Sequence, residues 1–442
     1  LSSLIAMLLQ YMAAKLGIVT QMDLAQAIRA RTSRTLGIIL WLLTEMAIMA
    51  TDIAEVIGAA IALNLLFHIP LMIAVFITVF DVLLLLLLAK IGFRKIEAIV
   101  VCLICVILFV FAYEVILSDP NWGAAIKGLI PSAGVMASHP SINGETPLTG
   151  ALGIIGATVM PHNLYLHSSI SQTRELDHAS DEDIKRTIKF TTWDSNIQLT
   201  AAFFVNALLL IMGVAVFKSG AVKDTSFFGL FNALNSPSLL HNHILASVAR
   251  TGILSTLFAV ALLASGQNST ITGTLTGQVI MEGFVHMRMP LWARRLVTRL
   301  LSVVPVILCV MTTSGESVTH QHIAINNLMI NSQVFLSLAL PFSMVPLLML
   351  TNSKTEMGQF RNSLWVKIAG WISVVALIFL NLQGLPDQMT AFFSDNPTPH
   401  QVWLGHISAD IIGTLIVLLL IWVIVELWAS NRRIRRSQAN EK

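Results

Sequence analysis

Charge is what this 442-residue chain has least of: Asp, Glu, Lys and Arg make up 12% of it, against 55% for the apolar set AVILMFWYC. A soluble globular domain carries about twice that share of charge, and with a mean hydropathy of +0.76 the chain belongs in a bilayer. Cysteine is nearly missing. Cys102, Cys105 and Cys309 are odd in number and lie inside apolar runs, which excludes a disulfide framework. A large net charge is missing too: 27 basic against 24 acidic residues leave +3, no excess with which to hold nucleic acid. Neither H-E-x-x-H nor G-x-S-x-G occurs, so the signatures of a zinc peptidase and of a serine hydrolase are absent.

What is present is a series of apolar runs long enough to cross a bilayer, which takes roughly 20 residues. They lie at about 1–16, 35–66, 69–91, 96–118, 148–172, 191–217, 246–280, 292–313, 323–350, 364–382 and 404–428, eleven in all. Runs of this length predict an all-α membrane protein, because only helices and closed barrels satisfy every backbone group in lipid and barrel strands are shorter. Basic residues alternate between connections. Arg29, Arg31, Arg34, then Lys90, Arg94, Lys95, then Arg174, Lys185, Arg186, Lys189, then Arg288, Arg294, Arg295, then Lys354, Arg361 and the tail Arg432, Arg433, Arg435, Arg436 fall on one side. The positive-inside rule makes that side, and the C-terminus, cytoplasmic in a multi-pass cell-membrane protein. By the same alternation the first run starts outside without an initiator Met, which predicts an upstream helix and twelve crossings in the intact protein.

The informative residues are those that do not suit lipid. Within Gly156-Ala157-Thr158-Val159-Met160-Pro161-His162, Pro161 has no amide hydrogen and clashes with the preceding turn, so the helix should open near 157–160 and free carbonyls there. Freed carbonyls are tolerated in a membrane where they line a cavity or bind something. The Ala157 carbonyl and the Met160 thioether can face one cavity, with His162 and His167 on the half-helix that follows. Sulfur is a soft ligand that favours transition metals over Mg or Ca, so the stretch reads as part of a metal site. Against that stand the plain readings: Met160 as packing in a chain with 18 Met, and His167 as an interhelical hydrogen-bonding group. Gln333 and Asn381 are isolated amides whose default role is also cross-helix hydrogen bonding.

Three acids, Glu45, Asp52 and Glu55, share the run at 35–66 with spacings of seven and three, which bring them to neighbouring faces of one helix. Intramembrane carboxylates mark ion or proton paths or pair with a base. Arg294, Arg295 and Arg299 are the candidate partners, with interfacial anchoring as their alternative. Asp81 and Glu114 read as structural. The small polar stretch from Gly266 to Gln278 says "tightly packed or water-lined".

Taken together, these stretches resemble the Nramp family of proton-coupled divalent-metal transporters. The resemblance rests on the 157–167 stretch with its Met-Pro-His core, on Ala50-Thr51-Asp52-Ile53-Ala54-Glu55-Val56-Ile57-Gly58, and on Gly266 to Phe284, in the family's order and over essentially the whole chain. It implies a LeuT-like fold of two inverted five-helix repeats. The first occupies 1–118 without its first helix, an extracellular loop follows at 119–147, the second repeat occupies 148–350, and 351–442 adds two helices and a basic tail. It further implies that the Ala157 carbonyl, the Met160 sulfur and Gln333 are metal ligands, and that Asp52, Glu55, His162 and His167 serve the proton route. The family's Asp-Pro-Gly-Asn motif does not occur in these 442 residues.

The expected activity is therefore transport, not catalysis: import of Mn(II) or Fe(II), and of Cd(II) or Co(II), with protons, by alternating access and with no cofactor beyond the transported ion. A sodium-coupled amino-acid carrier on the same scaffold would need an anion-binding helix start, which a Met-Pro-His break suits poorly. A membrane metalloenzyme would have to use His162 and His167, which point about 140° apart on a regular helix and make poor co-ligands.

Overall fold

The helices begin and end where local chemistry dictates. In the computed structural model, α1 (Ser2–Thr20) ends at Gln21, whose left-handed backbone turns its amide back onto the Gly17 carbonyl. Asp23 then caps α2 (Leu24–Arg31): its side chain accepts from the Gln26 amide at 2.8 Å, and Gln26 accepts from the Asp23 amide at 3.1 Å. Ser33 caps α3 (Arg34–Phe67) and is tied by two hydrogen bonds, 2.6 and 2.7 Å, to Glu426. The further helices are α4 (Leu71–Thr78), α5 (Pro147–Thr158), α6 (Pro161–Gln172), α7 (Asp181–Phe217), α8 (Phe227–Leu234), α9 (Ile253–Val285), α10 (Leu291–Thr312), α11 (Val318–Ala339), α12 (Pro341–Asn352), α13 (Leu364–Phe393) and α14 (Pro399–Asn440). Described are residues 1–81, 122–130, 146–172, 180–217, 224, 226–235, 251–393 and 398–440, with scattered positions at 101–115 and residue 134. Most of the runs at 82–118, the loop at 119–147, and Lys90, Arg94, Lys95, Glu114 and Arg174 lie outside the described residues.

Among the described residues seven helical segments are long and apolar enough to cross a membrane: Ser2–Thr20, Arg34–Phe67, Asp181–Ile211, Leu291–Thr312, Val318–Asn352, Leu364–Ala391 and Pro399–Arg436. Two further runs fall short. The run at 148–172 is divided by Pro161, and the run at 246–280 lies largely in α9, which holds the apolar segment Ser255–Gly266 among its described residues. The run at 323–350 lies within one apolar segment, Val318–Asn352, as read; Pro341, which withholds an amide from the turn before it, marks the junction of α11 and α12, and Leu340 keeps right-handed helical geometry there (φ −58°, ψ −43°).

Helices far apart in the chain pack in pairs: α1 on α7, α3 on α9, and α4 on α10. Glu55 of α3 lies at Ser269 and Thr270 of α9, whereas Glu45 bonds Arg294, whose guanidinium lies against Gly277. Rising numbers on α3 thus meet falling direction on α9, and the pair is antiparallel. Two glycines allow backbones to touch. A Cβ at Gly17 would overlap the Ser168 carbonyl, and one at Gly156 would overlap the carbonyl of Gln333. The first joins α1 to α6, where the Ser168 hydroxyl also accepts from the Leu24 amide at 2.9 Å. The second joins α5 to α11.

The turn before α2 carries a titratable device. Burial pushes the Asp23 carboxyl up to about 6, the amides of Gln26 and Ala25 work against the rise, and the charge of Glu282 adds to it. An acid raised in the folded state stabilises the fold fully below its ordinary value near 4, and that contribution is lost as pH rises through about 6. Asp23→Asn keeps the cap, because Asn caps as well as Asp, and removes the titration. The variant is expected to melt at or above the parent temperature at pH 7.5 and to show a shallower change in Tm between pH 4 and 6; superimposable Tm-against-pH curves for the two proteins would refute this.

Candidate metal and proton site

The break in the long 147–172 segment forms as its sequence demands. Thr146 caps α5, its hydroxyl accepting from the Thr149 amide at 3.2 Å, and Pro147 occupies the first turn. The helix runs to Thr158 and leaves helical geometry at Val159 (φ −109°, ψ 72°), and α6 starts at Pro161. In a continuous helix the Ala157 carbonyl would accept from the amide of residue 161. That residue is proline, so the carbonyl has no such donor. Ala157 is exposed and Met160 half-buried, so the free carbonyl and the thioether both lie at the opening.

Gln333 joins them through Gly156. The absence of a Cβ there lets α11 approach until the Gln333 backbone touches the residue next to Ala157. The two isolated amides then part ways. Asn381 is satisfied across helices: its Oδ1 accepts from the Ser337 hydroxyl and its Nδ2 donates to the Ser337 carbonyl, both at 2.9 Å. The described hydrogen bond of the Gln333 side chain goes only next door, Nε2 to Ser332 Oγ at 3.1 Å, which leaves Oε1 available as a donor to a cation. Among the described residues no three His, Cys, Asp or Glu are grouped so as to hold a metal ion. A cation here would meet carbonyl, thioether and amide groups.

The acids of α3 make a separate centre. Arg295 donates to Asp52 Oδ1 at 2.6 Å, to Asp81 Oδ2 at 3.0 Å and to Glu55 Oε2 at 3.2 Å. Arg299 donates to Asp81 and, at 3.3 Å, to the Asp52 carbonyl. Glu55 also accepts from Ser269 at 2.6 Å and Thr270 at 2.9 Å. Asp52, Arg295 and Arg299 are each 1% exposed, so solvent screens none of them. Arg294 pairs separately with Glu45 at 2.6 Å, in space that Gly277 leaves open. The arginines are partners of the acids, not mere anchors, and the small polar stretch of α9 clothes Glu55.

Asp81 is the correction: read as structural, it is a full member of the cluster. The inner group then holds three carboxylates and two guanidinium groups, one negative charge in excess. Asp52 Oδ2 and Asp81 Oδ1 accept no hydrogen bond among the described residues. His162, on the first turn of α6, is 3% exposed; its Nδ1 has no described partner, and it lies within electrostatic reach of Asp52. His167 is half-buried further along the same helix, and its carbonyl accepts from the Ser171 hydroxyl at 2.6 Å.

A family model described as natural resistance-associated macrophage protein-like matches residues 1–386. The chain belongs to the Nramp family. Among its relatives, the divalent metal cation transporter MntH of Levilactobacillus brevis is 56% identical over 382 residues, 86% of this chain and 79% of that protein. The protein of the same name from Latilactobacillus sakei is 57% identical over 381 residues, 86% of this chain and 80% of its own. The crystal structure of the Eremococcus coleocola manganese transporter, in complex with an aromatic bis-isothiourea substituted compound, superposes with a TM-score of 0.89 at 63% identity, covering 97% of this chain and 87% of that one. That transporter has also been solved with a glutamate replaced and with a histidine replaced. The two replaced positions are separated by the same number of residues as Glu55 and His162.

Removing one partner from a buried ion cluster costs about 3–5 kcal/mol. Arg295→Met is expected to lose stability on that scale in thermal unfolding, because Asp52 loses its side-chain partner and Asp81 and Glu55 are left to Arg299. Adding Asp52→Asn should recover part of the loss; a single variant as stable as the parent would show that the cluster carries no weight in the fold.

Proposed function

We propose that this protein carries divalent transition-metal ions across the cell membrane, Mn(II) or Fe(II) foremost and Cd(II) or Co(II) as well, with inward movement of protons and alternating access. The observation that supports the metal reading is the helix break that denies the Ala157 carbonyl its helical donor and carries Met160, with the Gln333 backbone packed against Gly156. Sulfur discriminates against hard cations such as Ca(II), and the carbonyl and amide oxygens suit Mn(II). The names of the relatives, as divalent metal and manganese transporters, agree with it.

The proton reading draws on the second centre. An excess carboxylate with unpaired oxygens in a dry interior gains from taking up a proton. His162, next to Pro161 at the helix break and within electrostatic reach of Asp52, supplies a group able to relay. Asp52 and Glu55 are the carriers in this scheme, with His162 and His167 along the route. A potential of 100 mV already supplies about 4.6 kcal/mol to a doubly charged ion, twice the roughly 2.3 kcal/mol per charge, so protons add most where potential or metal is scarce. Rocking of one helix group about the broken segment would expose the site to either side in turn. The basic connections and tail support a cytoplasmic C-terminus.

Two measurements in proteoliposomes test the pair of assignments. Met160→Ala should weaken Cd(II) uptake at least about tenfold, on the order of 1.4 kcal/mol, and admit Ca(II) that the parent excludes; unchanged values for both ions would rule out a sulfur ligand. Asp52→Asn should flatten the pH dependence of Mn(II) flux and abolish metal-driven acidification of the vesicle lumen, so parent-like proton flux in the variant would remove Asp52 from the route.

A further inference from the structure

One face of α7 has a composition that metal transport does not use. Lys185, Lys189 and Trp193 recur at intervals of four, one above the other on a helix, and Ile197 continues the row. Trp193 and Ile197 are 62% and 64% exposed, and the helix as a whole turns little of its apolar surface inward. This face therefore meets lipid. Neither lysine has an ion-pair partner among the described residues, although Asp181 stands one turn before Lys185 and Asp194 one position after Trp193.

Beside the row, α7 meets α1, where the Ser195 hydroxyl donates to Gln10 at 2.7 Å. The two helices leave a cleft of about 300 Å³ whose walls include Lys185, Lys189, Trp193 and Asn196 on α7 and Tyr11 on α1. The row on α7 has a gradient along its length: the ammonium groups of Lys185 and Lys189, then the Trp193 indole with the Tyr11 phenol in the same cleft, then Ile197 just beyond the cleft's lining. A lipid leaflet presents phosphate, then glycerol and ester, then acyl chain, in the same order. The scale fits as well. From Lys185 to Ile197 the helix rises about 18 Å, close to the depth of one leaflet with its headgroups, roughly 20 Å.

We infer that this cleft holds an anionic phospholipid, with its phosphate between Lys185 and Lys189, its glycerol region against Trp193 and Tyr11, and an acyl chain along Ile197. The lipid bridges α1 and α7 and stabilises their contact. The assignment is independent of the metal reading.

The test uses the whole chain, purified and delipidated in detergent, with Tm measured after adding phosphatidylglycerol or phosphatidylcholine at equal mole fraction. Phosphatidylglycerol is expected to raise Tm by several degrees more than phosphatidylcholine does. The difference should vanish in the Lys185→Gln/Lys189→Gln variant and persist in the Lys185→Arg/Lys189→Arg variant, with native mass spectrometry counting one retained anionic lipid in the parent and the Arg variant. Equal response to the two lipids would reduce the cleft to ordinary annular contact. An undiminished difference in the Gln variant, or its loss in the Arg variant, would overturn the role of the two charges. Reproduction of the effect by millimolar inorganic phosphate would identify a soluble anion instead of a lipid.

Discussion

Two guanidinium groups held among three carboxylates inside the membrane are the constraint to which the rest of the structure conforms. Lipid gives helices no hydrophobic reason to associate, since the acyl chains are as apolar as leucine, so polar bonds and close packing must do it. Arg295 and Arg299 extend from α10 to Asp52 and Glu55 on α3 and to Asp81 beyond the end of α4. Charges buried so completely require hydrogen bonds from the groups around them, a requirement met except at Asp52 Oδ2, Asp81 Oδ1 and the Nε atoms of Arg295 and Arg299, which have no partner among the described residues. That requirement explains the small polar face of α9: Ser269 and Thr270 donate to Glu55, and Gly277 yields its space to Arg294. Larger or apolar residues there would leave a buried charge incompletely solvated.

The broken helix solves the opposite problem. It presents donors without net charge, made from backbone and side-chain atoms that lack their usual partners. Ala157 offers its carbonyl because Pro161 has nothing to give it, and Gln333 offers an amide oxygen because its neighbour Ser332 takes only the nitrogen. In the proposed scheme, separating neutral donors from the charged cluster would let each respond to its own ion.

How much of this could be read from the chain depends on the range of the interaction. Apolar length gave the helices, and proline chemistry placed the break within Ala157 to Met160, because both are local. The alignment of Glu45, Asp52 and Glu55 was legible for the same reason. Partners were not: that Arg295 answers Asp52 and Arg294 answers Glu45 depends on how α3 and α10 cross, and a lone Asp81 carries no local sign of belonging to the same group. Gly156 was equally silent, since a glycine within a helix declares nothing until the Gln333 carbonyl is seen against it. The distinction between Asn381, spent on Ser337, and Gln333, left half free, likewise needed coordinates.

The two close backbone approaches fall on opposite sides of the break. Gly156 fuses α5 to α11, while Gly17 and Ser168 fuse α6 to α1 and the start of α2. The two halves of one chain segment thus make their tightest backbone approaches to different neighbours, and Val159 and Met160 link them. A displacement of α11 relative to the start of α2 would fall first on these two residues and would change the separation of the Ala157 carbonyl and the Met160 sulfur.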